Sequence, residues 1–390
     1  MREPVACVVG AGPAGLAVAG VLQRAGVSYV LLERLDAAQL RAQTKAGMIE
    51  HRTVELLRLH GMAEPILERG TKVGMCEFRT ERDALVFDYA SLCGGRGHFI
   101  YPQHELVVDW VDELLARGGD VRLGVEATGV DQDHDGARVQ ALEISTGAAF
   151  TIESEIVVCC DGATGAFAGD LEDVSLSHRF RWLTLIAAAP PSSEGTIYGI
   201  HRRGFSGQMH RSSAVTRFVL EVSLDDRVDD WPDDRLWAEL HERLDVTGRA
   251  PIEEGELLER DVLVPRVRVR EPMQHGRVFF AGDAAHLITP AGGKGMNIAI
   301  QDAVELACGI GERYGGTNAG TRLANYSATR LPHVWRQQEF SNLMLSILCA
   351  GAGLGDSAFS YALRRARLDQ VLNEPQFSRW FARAYVGVDD

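Results

Sequence analysis

Two glycine-rich segments at opposite ends of the chain have the residue types and spacing to do chemistry together. The first is Val8-Val9-Gly10-Ala11-Gly12-Pro13-Ala14-Gly15; the second is Val278-Phe279-Phe280-Ala281-Gly282-Asp283-Ala284-Ala285-His286. An apolar strand that turns on glycines into a helix is the geometry that holds a pyrophosphate. Gly10 makes the tight turn, Gly12 lets backbone approach the phosphates, and Gly15 lets helix and strand pack closely. Pro13 and Ala14 open the helix, whose free N–H groups and positive dipole end meet the phosphates. About 20 residues on, the apolar strand at 29–32 ends in Glu33, placed to accept hydrogen bonds from a ribose hydroxyl. The alternative is that Glu33 merely solvates a strand end, but strand, turn, helix, strand and acid in that order favour a dinucleotide.

The elements that position these groups follow from apolar spacing. Pro4 to Val9 is an apolar run, as a buried parallel strand requires. Leu16, Val18, Val21 and Leu22 give the next segment helical spacing, stopped near Gly26. Helices are expected at Met48 to His60 and Gln103 to Arg117. Short strands are expected at Gly74 to Tyr89 and His98 to Tyr101, then at Val121 to Val125, Ala137 to Ile144 and Phe150 to Cys160, with a turn at Thr146-Gly147. From Trp182 to Arg270 the pattern becomes β, interrupted by an acidic amphipathic helix at Asp230 to Leu244; Asp261 to Val269 is read as one strand. The strand Val278 to Ala281 then returns to the first sheet, and the chain beyond Lys294 is mainly helical. The expected division is a nucleotide-binding α/β domain over 1–172 with a β insertion near 74–101, a β-sheet domain over 173–270 inserted into it, and 271–390 returning to the first domain with a C-terminal helical region.

Composition narrows the function classes. A chain of 390 residues exceeds what one core usually serves. The net charge of -14 argues against nucleic-acid or anionic-membrane partners. Seven cysteines lack C-x-x-C or Cys/His ligand spacing, so neither a disulfide framework nor a metal site is expected, consistent with a cytoplasmic location. Arg2 and the alanine-rich start read as fold rather than as a signal peptide. Leu343 to Leu354 is too short and glycine-broken to span a bilayer.

As a set, Gly10-x-Gly12-x-x-Gly15 with Glu33, Cys160-Asp161-Gly162 and Gly282-Asp283-Ala284-Ala285-His286 resemble the FAD-dependent aromatic hydroxylases (group A flavoprotein monooxygenases), most nearly those acting on 4-hydroxybenzoate. The likeness runs from Glu271 to Arg277 and on to Gly295-Met296-Asn297, covers Ile197-Tyr198 to Arg217, and includes Tyr385-Val386-Gly387. It implies a glutathione-reductase-type, Rossmann-like FAD domain with an inserted, mainly β substrate domain. It also implies a cycle in which NADPH or NADH reduces FAD and a flavin C4a-hydroperoxide passes oxygen to an electron-rich ring. By resemblance, Asp161 and Asp283 contact FAD, the latter at the ribityl chain, and Gly295, Met296 and Asn297 meet the flavin pyrimidine edge. Gln103 is a further FAD contact by resemblance, and Arg41 one by charge alone. Lys45 lies in the cofactor segment, while Arg34 and Arg266 match positions that handle the nicotinamide nucleotide.

On the substrate side, Tyr198 and Tyr385 match a pair that hydrogen-bonds a phenol and relays its proton. Arg211 matches the carboxylate anchor, Arg217 a residue that holds flavin position and charge, and Pro290 and Asn297 the reacting edge of the ring. The sequence departs from the pattern elsewhere. Met209 and Val219 replace a serine and a tyrosine of the carboxylate clamp, Val73 a relay histidine, and Gln43 and Lys45 two arginines; Thr164, Phe167 and Ala168 replace His, Ser and Arg. Met and Val donate no hydrogen bond, so the expected substrate is an aromatic acid that is 4-hydroxybenzoate-like or a larger aromatic natural-product intermediate. A homodimer is a further implication of the resemblance. The rival readings are a flavin-dependent reductase or oxidase that inserts no oxygen, and a non-catalytic flavin redox sensor.

Overall fold

The structure, a computed structural model, describes residues 3–43, 47–165, 172–316, 320–351 and 358–388. Lys45, Phe167 and Ala168 lie outside the described residues. The strands Ala6–Val9, Tyr29–Glu33, Asp120–Leu123, Ile156–Cys159 and Val278–Phe280 pair in parallel, and Gln274–His275 adds an antiparallel edge. Every residue of Ala6–Val9 and Ile156–Cys159 is buried, because the helices Pro13–Arg24, Gln103–Ala116 and Gly295–Tyr314 pack beside the sheet. An antiparallel sheet of Val125–Gln132, Ala137–Glu143 and Ala148–Ser154 caps this core.

The second sheet has seven strands, in the order Leu257–Leu263, Arg181–Ala187, Thr216–Val222, Gly204–His210, Thr196–His201, Met75–Thr80, Ala84–Asp88. Its alternation is strict where it matters. Leu183, Leu185, Ala187, Phe218, Leu220 and Val222 point to one side, where Leu236, Trp237, Leu240 and Leu244 of the helix Asp233–Leu244 cover them. The intervening residues therefore face the other way, toward the parallel sheet. On that side a third core joins Tyr198, Phe205 and Val219 to the C-terminal helices Tyr326–Leu348 and Pro375–Val386.

Four elements differ from the sequence reading. In the segment read as a β insertion near 74–101, Met75–Thr80 pairs in parallel with Thr196–His201 and, with Ala84–Asp88, extends the second sheet. Within the segment read as the helix Met48 to His60, Met48–Ile49 is a strand paired with His98–Ile100, and the helix spans His51–Leu59. The run Phe150 to Cys160 breaks at Glu155, where the chain leaves the capping sheet for the parallel one. The run Asp261 to Val269 breaks near Pro265, whose ring removes a ladder donor, and Arg266–Glu271 pairs instead with Glu172–Ser177 and His286–Leu287. Among the described residues no helix is long and apolar enough to cross a membrane, and no cluster of His, Cys, Asp or Glu could hold a metal ion.

Candidate active site

A cleft of about 1000 Å³ runs between the parallel sheet and the seven-stranded sheet. Its first wall is the glycine turn. Gly10 has φ +96°, and a Cβ there would lie 2.5 Å from the Cys160 carbonyl oxygen, while a Cβ on Gly15 would overlap the Gly10 carbonyl oxygen. Both positions are closed by backbone, whereas a Cβ on Gly12 would meet nothing, because Gly12 faces the open cleft. The helix Pro13–Arg24 starts there with no side-chain cap, which leaves its first N–H groups for an anion. Glu33 lines the cleft too, and its carboxylate is fixed by the Ala11 N–H at 2.7 Å and the Leu35 N–H at 2.9 Å. Each oxygen keeps a lone pair for a ribose hydroxyl.

Further along the same wall stand Gln103, Asp161, Asp283, Pro290, Gly295 and Met296. Asp283 sits in the short turn Gly282–Ala284, and Arg268 clasps that turn by donating to the Asp283 carbonyl at 2.8 Å and to the Ala163 carbonyl at 3.2 Å. The helix Gly295–Tyr314 also begins without a side-chain cap, so a second set of free N–H groups meets the cleft. Two uncapped helix starts, an open glycine and two carboxylates along one groove fit FAD: diphosphate at Gly12, ribityl chain at Asp283, pyrimidine edge at Gly295. Arg34 lines the adenosine end and is exposed, whereas Arg266 is exposed on its strand and does not line the cleft. Arg41 pairs with Asp112 at the surface at 3.4 Å.

The opposite wall is the seven-stranded sheet, and its register arranges the side chains in rows. Tyr198 lies opposite Gly207, Gly207 opposite Val219, Val219 opposite Thr184, and Thr184 opposite Asp261. A parallel row carries Met209, Arg217, Ile186 and Glu259. At about 4.8 Å per strand, the row from Tyr198 to Asp261 spans about 19 Å. Arg211, Arg217, Thr184, Ile186, Glu259 and Asp261 line the cleft. Burial, and then the neighbouring Arg217, lower the Arg211 pKa to about 10, while Glu259 acts in the other direction. Burial also lowers Arg217, against the pull of Glu259 and Asp261. The Arg211 Nε is buried and has no hydrogen-bond partner among the described residues, as an anchor waiting for an anion would be.

Beyond the cleft, at the inner end of the first row, the Tyr198 and Tyr385 hydroxyls are 2.7 Å apart; neither tyrosine lines the cleft, and both belong, with Met209 and Val219, to the apolar core beside it. Both rings are buried, and desolvation pushes both phenols well above their usual range. Met209 and Val219 pack into the same apolar core and present no donor. The relay end also differs from the resemblance. The Val73 carbonyl accepts from Tyr89, and His98 stands between the Tyr89 hydroxyl, at 3.2 Å, and the Tyr385 carbonyl, at 2.9 Å.

Asn297, expected at the reacting edge, does not line the cleft. Its Oδ1 accepts from the Glu50 N–H at 2.8 Å, and its Nδ2 donates to the Met48 and Gly293 carbonyls at 3.0 and 2.8 Å. It ties the strand Met48–Ile49 to the start of the second helix. Sequence reasoning missed two buried ionic clusters that hold the site, although His286 stands in a motif it singled out. Lys294 is buried and donates to Glu50 at 2.6 Å, to the Ala384 carbonyl at 2.6 Å and to the Tyr385 carbonyl at 2.9 Å; its burial lowers its pKa, which Glu50 opposes. His286 meets Asp302 at 2.5 Å, and Arg330 donates to the same carboxylate at 2.6 Å. Glu259 and Asp261 were not singled out either. The available signal was a polar residue at a core position of a helix, Asp302, and two acids alternating along a strand face.

The sequence matches the family model described as an FAD binding domain over residues 3–341. It is 30% identical over 395 residues to p-hydroxybenzoate hydroxylase of Acinetobacter baylyi, covering 100% of this chain and 96% of that one. It is 28% identical to the 12-dehydrotetracycline 5-monooxygenase/anhydrotetracycline 6-monooxygenase of Streptomyces rimosus, covering 98% and 76%. Its fold is that of p-nitrophenol 4-monooxygenase from Pseudomonas putida, with a TM-score of 0.82 and 19% identity over 99% of this chain and 98% of that one. With an FAD-shaped cradle on one wall and a full-length match to a p-hydroxybenzoate hydroxylase, the chain belongs to the family of FAD-dependent aromatic hydroxylases.

Proposed function

We propose that the protein uses NADPH or NADH and dioxygen to hydroxylate an aromatic acid, either 4-hydroxybenzoate-like or a larger aromatic natural-product intermediate. The observation that carries this reading is a single cleft with a flavin cradle on one wall and a buried, unpartnered Arg211 Nε on the other. Bound FAD would supply electron transfer from the nicotinamide and activation of dioxygen. The rest is done by the chain. The two uncapped helix starts hold negative charge on the cofactor, and Asp283 orients its ribityl chain. Arg211 fixes the acidic group of the substrate, and Arg217 keeps positive charge between substrate and flavin. Tyr198 Oη accepts a hydrogen bond from the substrate phenol and shares its own with Tyr385 Oη at 2.7 Å, which holds both hydroxyls in place and draws the phenol proton away from the ring. The apolar surround of Met209 and Val219 excludes water from the ring. Relatives named for p-hydroxybenzoate and for 12-dehydrotetracycline and anhydrotetracycline support an aromatic substrate.

The test is oxidation of NADH and of NADPH by FAD-loaded protein across a panel of aromatic acids, with products weighed for one added oxygen atom. Stimulated oxidation with an oxygenated product is expected. Oxidation without incorporation would assign a reductase or oxidase, and no turnover with any acid a redox sensor. A homodimer in the cytoplasm completes the proposal; sedimentation of the FAD-loaded protein and cell fractionation check the two parts.

A further inference from the structure

The charge on the sheet wall of the cleft is balanced in a way that the anchoring of an acid does not explain. Two guanidinium groups, Arg211 and Arg217, face the cleft together with two carboxylates, Glu259 and Asp261. The carboxylates sit on the outermost strand, on the same face as Arg217 and Thr184, because Ile186 lies opposite both Arg217 and Glu259 and Thr184 lies opposite Asp261. Both acids are exposed and line the cleft, so a ligand there can reach their oxygens. Glu259 acts on both arginines and Asp261 on Arg217, so a substrate carrying negative charge alone meets an almost neutral wall. A carboxylate accepts and never donates, so what it recognises is a donor.

We propose that Glu259 and Asp261 are specificity-determining residues that select aromatic acids bearing a hydrogen-bond donor, an ammonium or a hydroxyl, beside the group that Arg211 holds. The proposal rests on the reading of Arg211 as the acid anchor. It extends that reading from an aromatic acid to a bifunctional one, recognised at both ends of the Arg211–Glu259 wall.

Three probes share one phenol and one carboxylate: 4-hydroxyphenylacetate has no further donor, 4-hydroxyphenylglycine adds an ammonium, and 4-hydroxymandelate adds a hydroxyl. Each is titrated into FAD-loaded wild type, E259Q and D261N, followed by the flavin absorbance change, with NADH and NADPH oxidation recorded on the same samples. The wild type is expected to bind at least one donor-bearing probe about tenfold more tightly than 4-hydroxyphenylacetate, and one or both variants to erase that preference. Which probe responds identifies the donor. If the variants shift all three probes alike, the acids are only counter-ions to the arginines, and the proposal is overturned; an unchanged preference, or none in the wild type, overturns it too. A protein that takes up no FAD, or that no probe perturbs, fails the parent reading as well, and is told apart by its flavin spectrum.

Discussion

In the proposed reaction the two buried tyrosines and Arg211 divide the work of holding a phenolic acid. With both phenols raised by desolvation, Tyr198 and Tyr385 stay protonated at neutral pH, so they meet a ligand as neutral hydroxyls and carry no negative charge. Tyr198→Phe removes the hydroxyl proposed to meet the substrate phenol but keeps the ring that stacks on Phe78 at 5.5 Å. It should leave FAD bound while slowing hydroxylation about a hundredfold, as loss of a positioned proton acceptor does. Single-turnover oxygen transfer measures this, and an unchanged rate would remove Tyr198 from the chemistry. Tyr385→Phe breaks the same 2.7 Å contact, so the double variant should be no slower than either single one. Arg211→Ala acts on affinity instead. Losing a hydrogen bond to a charged group costs about 1.5–3 kcal/mol, which is an increase of about ten- to a hundredfold in Kd for an aromatic acid with FAD content unchanged. Equal Kd values for the two proteins would mean that the anchor is elsewhere.

At the scale of elements, the cofactor wall depends on close approach between strand and helix. Gly15→Ala would push a methyl into the Gly10 carbonyl and force the helix Pro13–Arg24 off the strand Ala6–Val9. The strain should be upward of about 2 kcal/mol and should appear as a lower Tm with loss of bound flavin absorbance; a yellow protein of normal Tm would contradict it. This wall was legible in the sequence because its signals are local: the glycine spacing, the apolar strand and the acid at its end lie within the first 33 residues. The substrate wall was legible only in part. Tyr198, Arg211 and Arg217 stood out by resemblance, but the rows that set them beside Glu259 and Asp261 come from pairing between distant strands, which periodicity does not encode. For the same reason Met75–Thr80 gave no sign that it would join Thr196–His201. Asn297 was read as a ring contact by resemblance alone. A helix start turns successive side chains through about 100°, and that rotation carries Asn297 away from the cleft and onto the Met48 and Gly293 backbone.

Across the whole molecule, the C-terminal helix Pro375–Val386 packs behind the substrate sheet, and a buried polar knot joins its apolar face in seating it. The Tyr385 carbonyl accepts from His98 at 2.9 Å and from Lys294 at 2.9 Å, so residues from three distant parts of the chain meet at one oxygen. His98 is fully buried, and desolvation, reinforced by the Lys294 charge, lowers its pKa from 6.5 to about 3. In the unfolded chain the imidazole is free to titrate near 6.5. Between about 3 and 6.5, therefore, the unfolded chain binds a proton that the native protein does not. The unfolded state gains from acid, so stability falls as pH drops through that window and is regained above it. The full effect is on the order of 5 kcal/mol. His98→Asn keeps a donor for the Tyr385 carbonyl but cannot take up the proton. It should lower stability at neutral pH and flatten the acid loss, so that the two curves of unfolding free energy against pH converge on acidification. Denaturant unfolding of both FAD-loaded proteins across the window decides the matter: parallel curves would show that the acid sensitivity of the helix seat resides in other groups.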